Sequence, residues 1–149
     1  MKMENPLSLN FEWKNDYSIG VEEIDYQHKR FLAFIKKIYQ LEQQNSETSE
    51  VNDLIRELEK YLQFHVKSEE FMMELYSYPK QDKQKEEHAK ILKEVKNQVG
   101  KLSQSQGHLT DLLLFLKRWF ENHTTSLDRD FGEHVKKQRG GLYMESDLA

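Results

Sequence analysis

The sequence contains no cysteine, which removes disulfides, thiolate metal sites and cysteine nucleophiles together. Any metal held by this chain meets only nitrogen and oxygen donors. Proline is nearly missing, with Pro6 and Pro79 alone, and only six glycines are spread over 149 residues. Long uninterrupted segments remain between these breakers, as helices require. No apolar run approaches the roughly 18 residues of a membrane span, and the mean hydropathy is −0.88. Met1 to Asn10 lacks the charged-then-apolar pattern of an export leader, so a cytoplasmic location is the expectation. Neither sign of charge dominates, since 22 basic and 26 acidic residues leave a net charge of −4. With no basic block and no interleaved aromatics, nucleic acid is not the expected partner, and the charges read as solvated faces. That mixed-charge surface shows no extended apolar patch, so a monomer is expected.

What is present is apolar periodicity. The first stripe reads Ile24, His28, Phe31, Ile35, Ile38, and the second Val51, Leu54, Leu58, Tyr61, Leu62, His65, Glu69, Met72. The third reads Gln84, His88, Ile91, Val95, Val99, Leu102, and the fourth Leu112, Leu116, Trp119, Phe120, His123, Leu127. A period near 3.6 in all four predicts amphipathic helices over about 21–43, 48–76, 80–103 and 109–138. Strands find little support. The joints at Gln43 to Ser49, Tyr78-Pro79 and Ser103 to Gly107 are short and polar, which favours antiparallel neighbours. The expected fold is all-α, a single domain over 1–149 built as an up-down-up-down antiparallel four-helix bundle. Residues 1 to about 20 lack periodicity but carry Phe11, Trp13 and Tyr17, so a docked arm is expected there. Gly140-Gly141 is expected to stop the last helix, leaving a tail over 139–149.

The stripes carry polar intruders. His65 and Glu69 stand four residues apart on an otherwise apolar face, so they project side by side. A carboxylate buried there costs several kcal/mol unless it is paired or binds a cation. A buried His–Glu ion pair would satisfy that requirement alone. It would not explain why the other three stripes also place polar residues inside: His28 on the first, Gln84 and His88 on the third, His123 with Asp128 nearby on the fourth. Four-helix bundles build metal sites from inward-projecting side chains on facing helices. Imidazole and carboxylate without sulfur suit iron, manganese or zinc, and two carboxylates able to bridge suggest a pair of metals. The Glu-x-x-His pairs of ferritin-like di-iron bundles are absent.

Taken in order, the residues Trp13, Tyr17, Gly20, Ile24-Asp25-Tyr26-Gln27-His28, His65-Val66-Lys67-Ser68-Glu69-Glu70, Tyr78-Pro79, His88, Trp119-Phe120-Glu121-Asn122-His123 and Asp128 resemble a bacterial hemerythrin. The match runs from about Trp13 to Phe131. This resemblance implies a bundle holding a non-haem di-iron centre that binds dioxygen, or another small diatomic ligand, for carriage, storage or sensing. By position, His28 and His65 would ligate one iron, Glu69 and Asp128 would bridge both, and His88, His123 and a third histidine would ligate the other. In the family that third histidine stands six residues after the tyrosine that is Tyr78 here, and counting forward lands on Gln84. Three outcomes stay open: the Gln84 oxygen ligates weakly, a water held by Gln84 fills the place, or that iron is weakly held or lost. Two irons per chain are expected, one of them weak in the last case.

An oxygen-binding rather than a catalytic role is expected. A di-iron oxidase, peroxidase or nitric-oxide-handling enzyme is the alternative that the Gln84 substitution opens, and an iron-binding or sensing module with a partly lost site is the other. An attached output domain is not expected. His123 and Asp128, five residues apart, lie about 140° apart on a regular helix, which predicts a π-bulge between them. His108 and His134 are expected at the surface, Asp25 as a cap of the first helix, and Glu70 facing water or accepting a bond from a ligand. Trp119, Phe31, Ile35 and Leu127 are candidate walls of a dry ligand pocket.

Overall fold

The computed structural model describes residues 11–148, with the backbone alone described over 141–148. A 3-10 turn at Asn15–Tyr17 leads into α1 (Glu22–Gln43), α2 (Thr48–Leu75), α3 (Gln81–Ser103) and α4 (Leu109–His123). A π-helical segment, Thr124–Asp128, joins α4 to α5 (Arg129–Leu148) without a break, so α4 and α5 form the two halves of the fourth helix. α1 packs on α2 and α4, and α3 packs on the same two, which closes the ring of a four-helix bundle. Among the described residues there is no strand.

Each helix buries one stripe, but the stripes feed two separate apolar clusters. The larger holds Phe31, Ile35, Leu58, Leu62, Val66, Ile91, Leu116 and Phe120 with their neighbours. The smaller holds Ile19, Val21, Ile24, Met73, Tyr78, Phe131 and Val135. Between them every helix contributes polar residues: His28 lies between Ile24 and Phe31, Glu69 between Val66 and Met73, and His123 between Phe120 and Phe131. On α2 the buried positions include Ile55 and Met73, whereas Leu54 and Met72 of the expected stripe are half-buried.

Three helices end the same way. The amides of Ser46, Tyr78 and Gln106 reach back to the carbonyls of Leu41, Met73 and Lys101 at 3.0, 2.8 and 2.7 Å. These are Schellman closures, which place the preceding residue in the left-handed region. That residue is Asn45, Ser77 and Ser105, with φ of 53°, 51° and 59°. None is glycine. Conversely, Gly140 has no positive φ and does not end the last helix, which runs on to Leu148. Glycine inside a helix costs about 1 kcal/mol against alanine but keeps the hydrogen-bond ladder. The expected tail over 139–149 is therefore helical as far as Leu148.

The arm is docked over its described part, and residues 1–10 of that expectation lie outside the described residues. Phe11, Tyr17 and Ile19 are buried and Trp13 half-buried. Asp25 does not cap α1, whose cap residue Val21 makes no side-chain bond. Its carboxylate instead accepts the Ile19 amide at 2.9 Å and the Ser18 hydroxyl at 2.6 Å, pinning the arm one turn into the helix. Where the arm crosses α5, a Cβ on Gly132 would stand 2.0 Å from the Ile19 carbonyl oxygen. The surface of α2 also departs from expectation. Phe64, Phe71 and Leu75 are 55%, 69% and 67% exposed, in one helical column that the surrounding charges conceal in the sequence.

Replacing Gly132 with alanine should therefore destabilise the fold by about 1–3 kcal/mol through overpacking. Ser105→Gly, at a left-handed closure, should stabilise it by about 1 kcal/mol. Urea unfolding of both variants checks the two signs.

Candidate metal centre

α1 supplies His28, α2 His65 and Glu69, α3 Gln84 and His88, α4 His123, and the π-helical segment Asp128. All seven are buried, at 5% exposure or less. The π-helical segment makes the seventh possible. Its wider turn takes up the extra residue between His123 and Asp128, so Asp128 is fully buried while Leu127 is only half-buried. This is the bulge that the five-residue spacing predicts.

The donors fall into two groups that share both carboxylates. His28, His65, Glu69 and Asp128 form one, and Glu69, His88, His123 and Asp128 the other, each with its ligand atoms within 4.8 Å of one another. Across the first group, His28 Nε2 stands 3.1 Å from His65 Nε2, 3.3 Å from Asp128 Oδ2 and 3.7 Å from Glu69 Oε2. Across the second, His88 Nε2 is 3.0 Å from Glu69 Oε1, and His123 Nε2 is 3.2 Å from Asp128 Oδ1. Several of these contacts are close without being aligned. Glu69 Oε2, Asp128 Oδ2 and His123 Nε2 have no hydrogen-bond partner despite full burial. Buried polar atoms left unpaired are costly, and unpaired atoms of α2, α4 and the π-helical segment converging on one layer are what a cation would satisfy. Imidazole nitrogen with carboxylate oxygen fits iron, manganese or zinc, and two groups fit two ions.

Outside the converging atoms, three side chains fix the rings. Gln27 Oε1 accepts the Nδ1 proton of His65 at 2.7 Å, while its Nε2 donates to Ser68 at 2.9 Å. This leaves His65 Nε2 free of a proton and turned toward the layer. Glu70 accepts the Nδ1 proton of His88 at 2.8 Å. Of the two roles expected for Glu70, the structure shows the bond to a candidate ligand rather than a water-facing carboxylate. Gln27 is buried beside His28, and its bond to His65 was not among the expectations. Its one signal was an amide on the inner side of α1 opposite Ser68, one turn from His65. Gln84 donates its amide to Asp128 Oδ1 at 3.1 Å, and its own Oε1 is buried without a partner.

Without metal the layer balances its charge with protons. Burial pulls the His28 pKa down, but the Asp128 and Glu69 carboxylates beside it outweigh this and push it up to about 9. His88 also rises to about 9, its burial outweighed by Glu69 and then Glu70. His65 moves the other way, lowered by burial and only partly restored by Glu69. Burial would raise the Glu69 pKa, yet the three surrounding histidines hold it well below the usual carboxylate range.

Aromatic rings close the layer toward the larger cluster. Phe120 meets His28 edge-on at 5.3 Å and stacks on Phe31 at 5.9 Å, and Trp119 stacks on His123 at 4.8 Å. Tyr17 of the arm packs edge-on against Phe120 and donates its hydroxyl to Glu121 at 2.9 Å. The remaining histidines stand apart. His108 is exposed. His134, expected at the surface, is half-buried because its Nε2 donates to the Tyr76 carbonyl at 2.7 Å and its ring lies on Tyr78.

Fold and layer together define a metal-binding four-helix bundle. A family profile, the Hemerythrin HHE cation binding domain, matches residues 19–135, and the chain belongs to the hemerythrin family. It is 26% identical over 126 residues to a bacteriohemerythrin of Clostridium acetobutylicum, a match covering 81% of this chain and 98% of that protein. A bacteriohemerythrin of Stenotrophomonas maltophilia is 27% identical over 124 residues, 83% of this chain and 80% of its own. The crystal structure of a hemerythrin mutant superposes with a TM-score of 0.75 at 24% identity, covering 83% of this chain and 95% of that one.

Glu70→Gln should lower metal affinity about 10–100-fold, as loss of a ligand's outer partner does, measured by competition with a chromophoric chelator. The protonated histidines add a pH dependence. Their folded pKa values, about 9, exceed the ordinary 6.5, so they stabilise the metal-free protein fully below pH 6.5, and this is lost as pH rises through 9. Metal must displace the same protons, so apparent metal affinity should rise over that window. Thermal unfolding of the metal-free protein and metal titration across pH 6–9.5 (roughly the span of these shifts) should show opposite trends.

Proposed function

We propose that this chain is a non-haem di-iron protein that takes up dioxygen reversibly, for carriage, storage or sensing. The observation that carries the reading is the pair of four-residue donor groups sharing Glu69 and Asp128. His28 and His65 would hold one iron, His88 and His123 the other, with the two carboxylates common to both and Gln84 beside the second. When bound, the iron pair supplies the electrons and the open coordination position that uptake of a diatomic ligand requires.

The chain's own residues supply the rest. Gln27 and Glu70 fix which nitrogen of His65 and His88 faces inward. Phe31, Ile35 and Phe120, all nearly inaccessible to solvent, keep the His28 side dry, which favours a small apolar ligand and slows loss of electrons to water. Every donor comes from one chain, so the functional unit we propose is a monomer, and size-exclusion chromatography checks it. No helix among the described residues is long and apolar enough to cross a membrane, in keeping with a cytoplasmic role.

A second reading, oxidase, peroxidase or nitric-oxide chemistry, is favoured by one observation, the buried unpartnered oxygen of Gln84 where an imidazole would bind metal. The two separate by spectroscopy. Reversible uptake predicts about two irons per chain and, as for any reversibly bound ligand, an oxygen-dependent charge-transfer band that disappears on deoxygenation and returns on re-exposure. Rapid bleaching to a ferric product would instead support oxidation. One iron or none, in the native chain and in Gln84→His alike, would overturn the di-iron reading and leave an iron-sensing module.

A further inference from the structure

The two donor groups are alike in composition. Each holds two imidazoles and the same two carboxylates, and the His88–His123 side has in addition Gln84, bonded to the Asp128 oxygen nearest His123. Its exposure is 0%. Its amide orientation is fixed by chemistry, because turning it over would set its oxygen against Asp128 Oδ1, where Nε2 now donates at 3.1 Å. The nitrogen end is thus committed and the oxygen end, Oε1, is a buried acceptor without a donor. Asp128 Oδ2, the other oxygen of the carboxylate that Gln84 anchors, faces the first group, 3.3 Å from His28 Nε2.

We propose that Gln84 makes the metal position of His88 and His123 a second binding place for a small protic ligand, of the class of water, hydroxide or hydrogen peroxide. The proposal rests on the two-metal reading above and assigns Gln84 a role in it. A carboxamide oxygen is a weaker donor to first-row metals than the imidazole it replaces. It is, however, a good acceptor, and a water polarised by a cation is a strong hydrogen-bond donor. Such a water would meet two of the two to four partners that a buried water requires, the cation and Gln84 Oε1. The acceptor also selects. It stabilises a ligand that carries a proton and offers nothing to one that does not, such as azide or carbon monoxide. Beside the His28–His65 position, walled by Phe120 and Phe31, the carboxamide oxygen of Gln27 is already taken by His65 Nδ1.

The whole chain loaded with manganese(II) gives a test that needs no turnover. Longitudinal relaxation of water protons counts exchangeable waters on the bound metal, elemental analysis counts the metal, and circular dichroism checks the helices. The native chain, Gln84→His and Gln84→Leu are compared at equal metal content. We expect Gln84→His to lose about one exchangeable water per chain, since an imidazole occupies the place. Gln84→Leu should keep the count but exchange its water several-fold faster, having lost the acceptor. A count unchanged in Gln84→His, or raised in Gln84→Leu, overturns the proposal, the latter by showing that the carboxamide oxygen is itself a ligand. If Gln84→His does not load metal, the Gln84→Leu count and exchange rate decide alone. Fewer than two manganese ions in the native chain overturn the two-metal reading and this proposal with it, whereas two ions with identical relaxation in all three proteins overturn this proposal only.

Discussion

The fold is organised around the neutralisation of two buried carboxylates. Glu69 and Asp128 are wholly inaccessible to solvent, and an unpaired charge in that setting costs more than a domain of this size can spare. Four histidines from four helical elements surround them, and in the absence of metal His28 and His88 carry the compensating protons. The layer therefore couples all four helices, because no single neighbour can satisfy either carboxylate. Protons and metal ions compete for one set of atoms.

That polar layer divides the interior. Above it the long ends of the bundle bury a continuous apolar core that takes in Phe11 and Tyr17 of the arm, and below it a smaller cluster gathers Ile19 and Val21, the α2–α3 turn and α5. The arm is a working part of the wall. Asp25 pins its Ile19 and Ser18, Gly132 lets it cross α5 closely, and Tyr17 presses on the ring that touches His28. The two clusters keep water from both ends of a site that polar atoms alone could not keep dry.

Much of this was legible in the sequence because its signals were periodic. The four stripes marked the helices, and the intruders at His28, His65, Glu69, Gln84, His88 and His123 stood out against apolar neighbours. Asp128 was legible through the family resemblance, and its five-residue distance from His123, which does not fit a regular turn, pointed to the π-helical segment. Local electrostatics were not legible. Whether Glu70 met water or His88, and whether Gln27 held His65, depended on helix rotation within a few tens of degrees. Glycine misled: this chain places serine and asparagine at its left-handed closures and glycine inside helices, so Gly140-Gly141 looked like a stop and was not. The column of Phe64, Phe71 and Leu75 went unseen because it shares the helical period with the charges around it.

The π-helical segment has a consequence for how this chain tolerates change. Residues 124–128 hold one residue more than a regular helix would, and the wide turn absorbs it, so α5 keeps its inner face in line with that of α4. Upstream, Leu116 and Phe120 face the large core. Downstream, Phe131 and Val135 face the small one, and Gly132 faces the arm. Removing one residue from the segment would close the wide turn and leave the inner face of α5 where it is, whereas removing one from the regular turns of α4 or α5 would rotate the side chains beyond it by about 100°. A deletion of the second kind would turn charged positions inward. The segment is thus the stretch of the fourth helix where a change in residue count alters the local winding rather than the faces on either side.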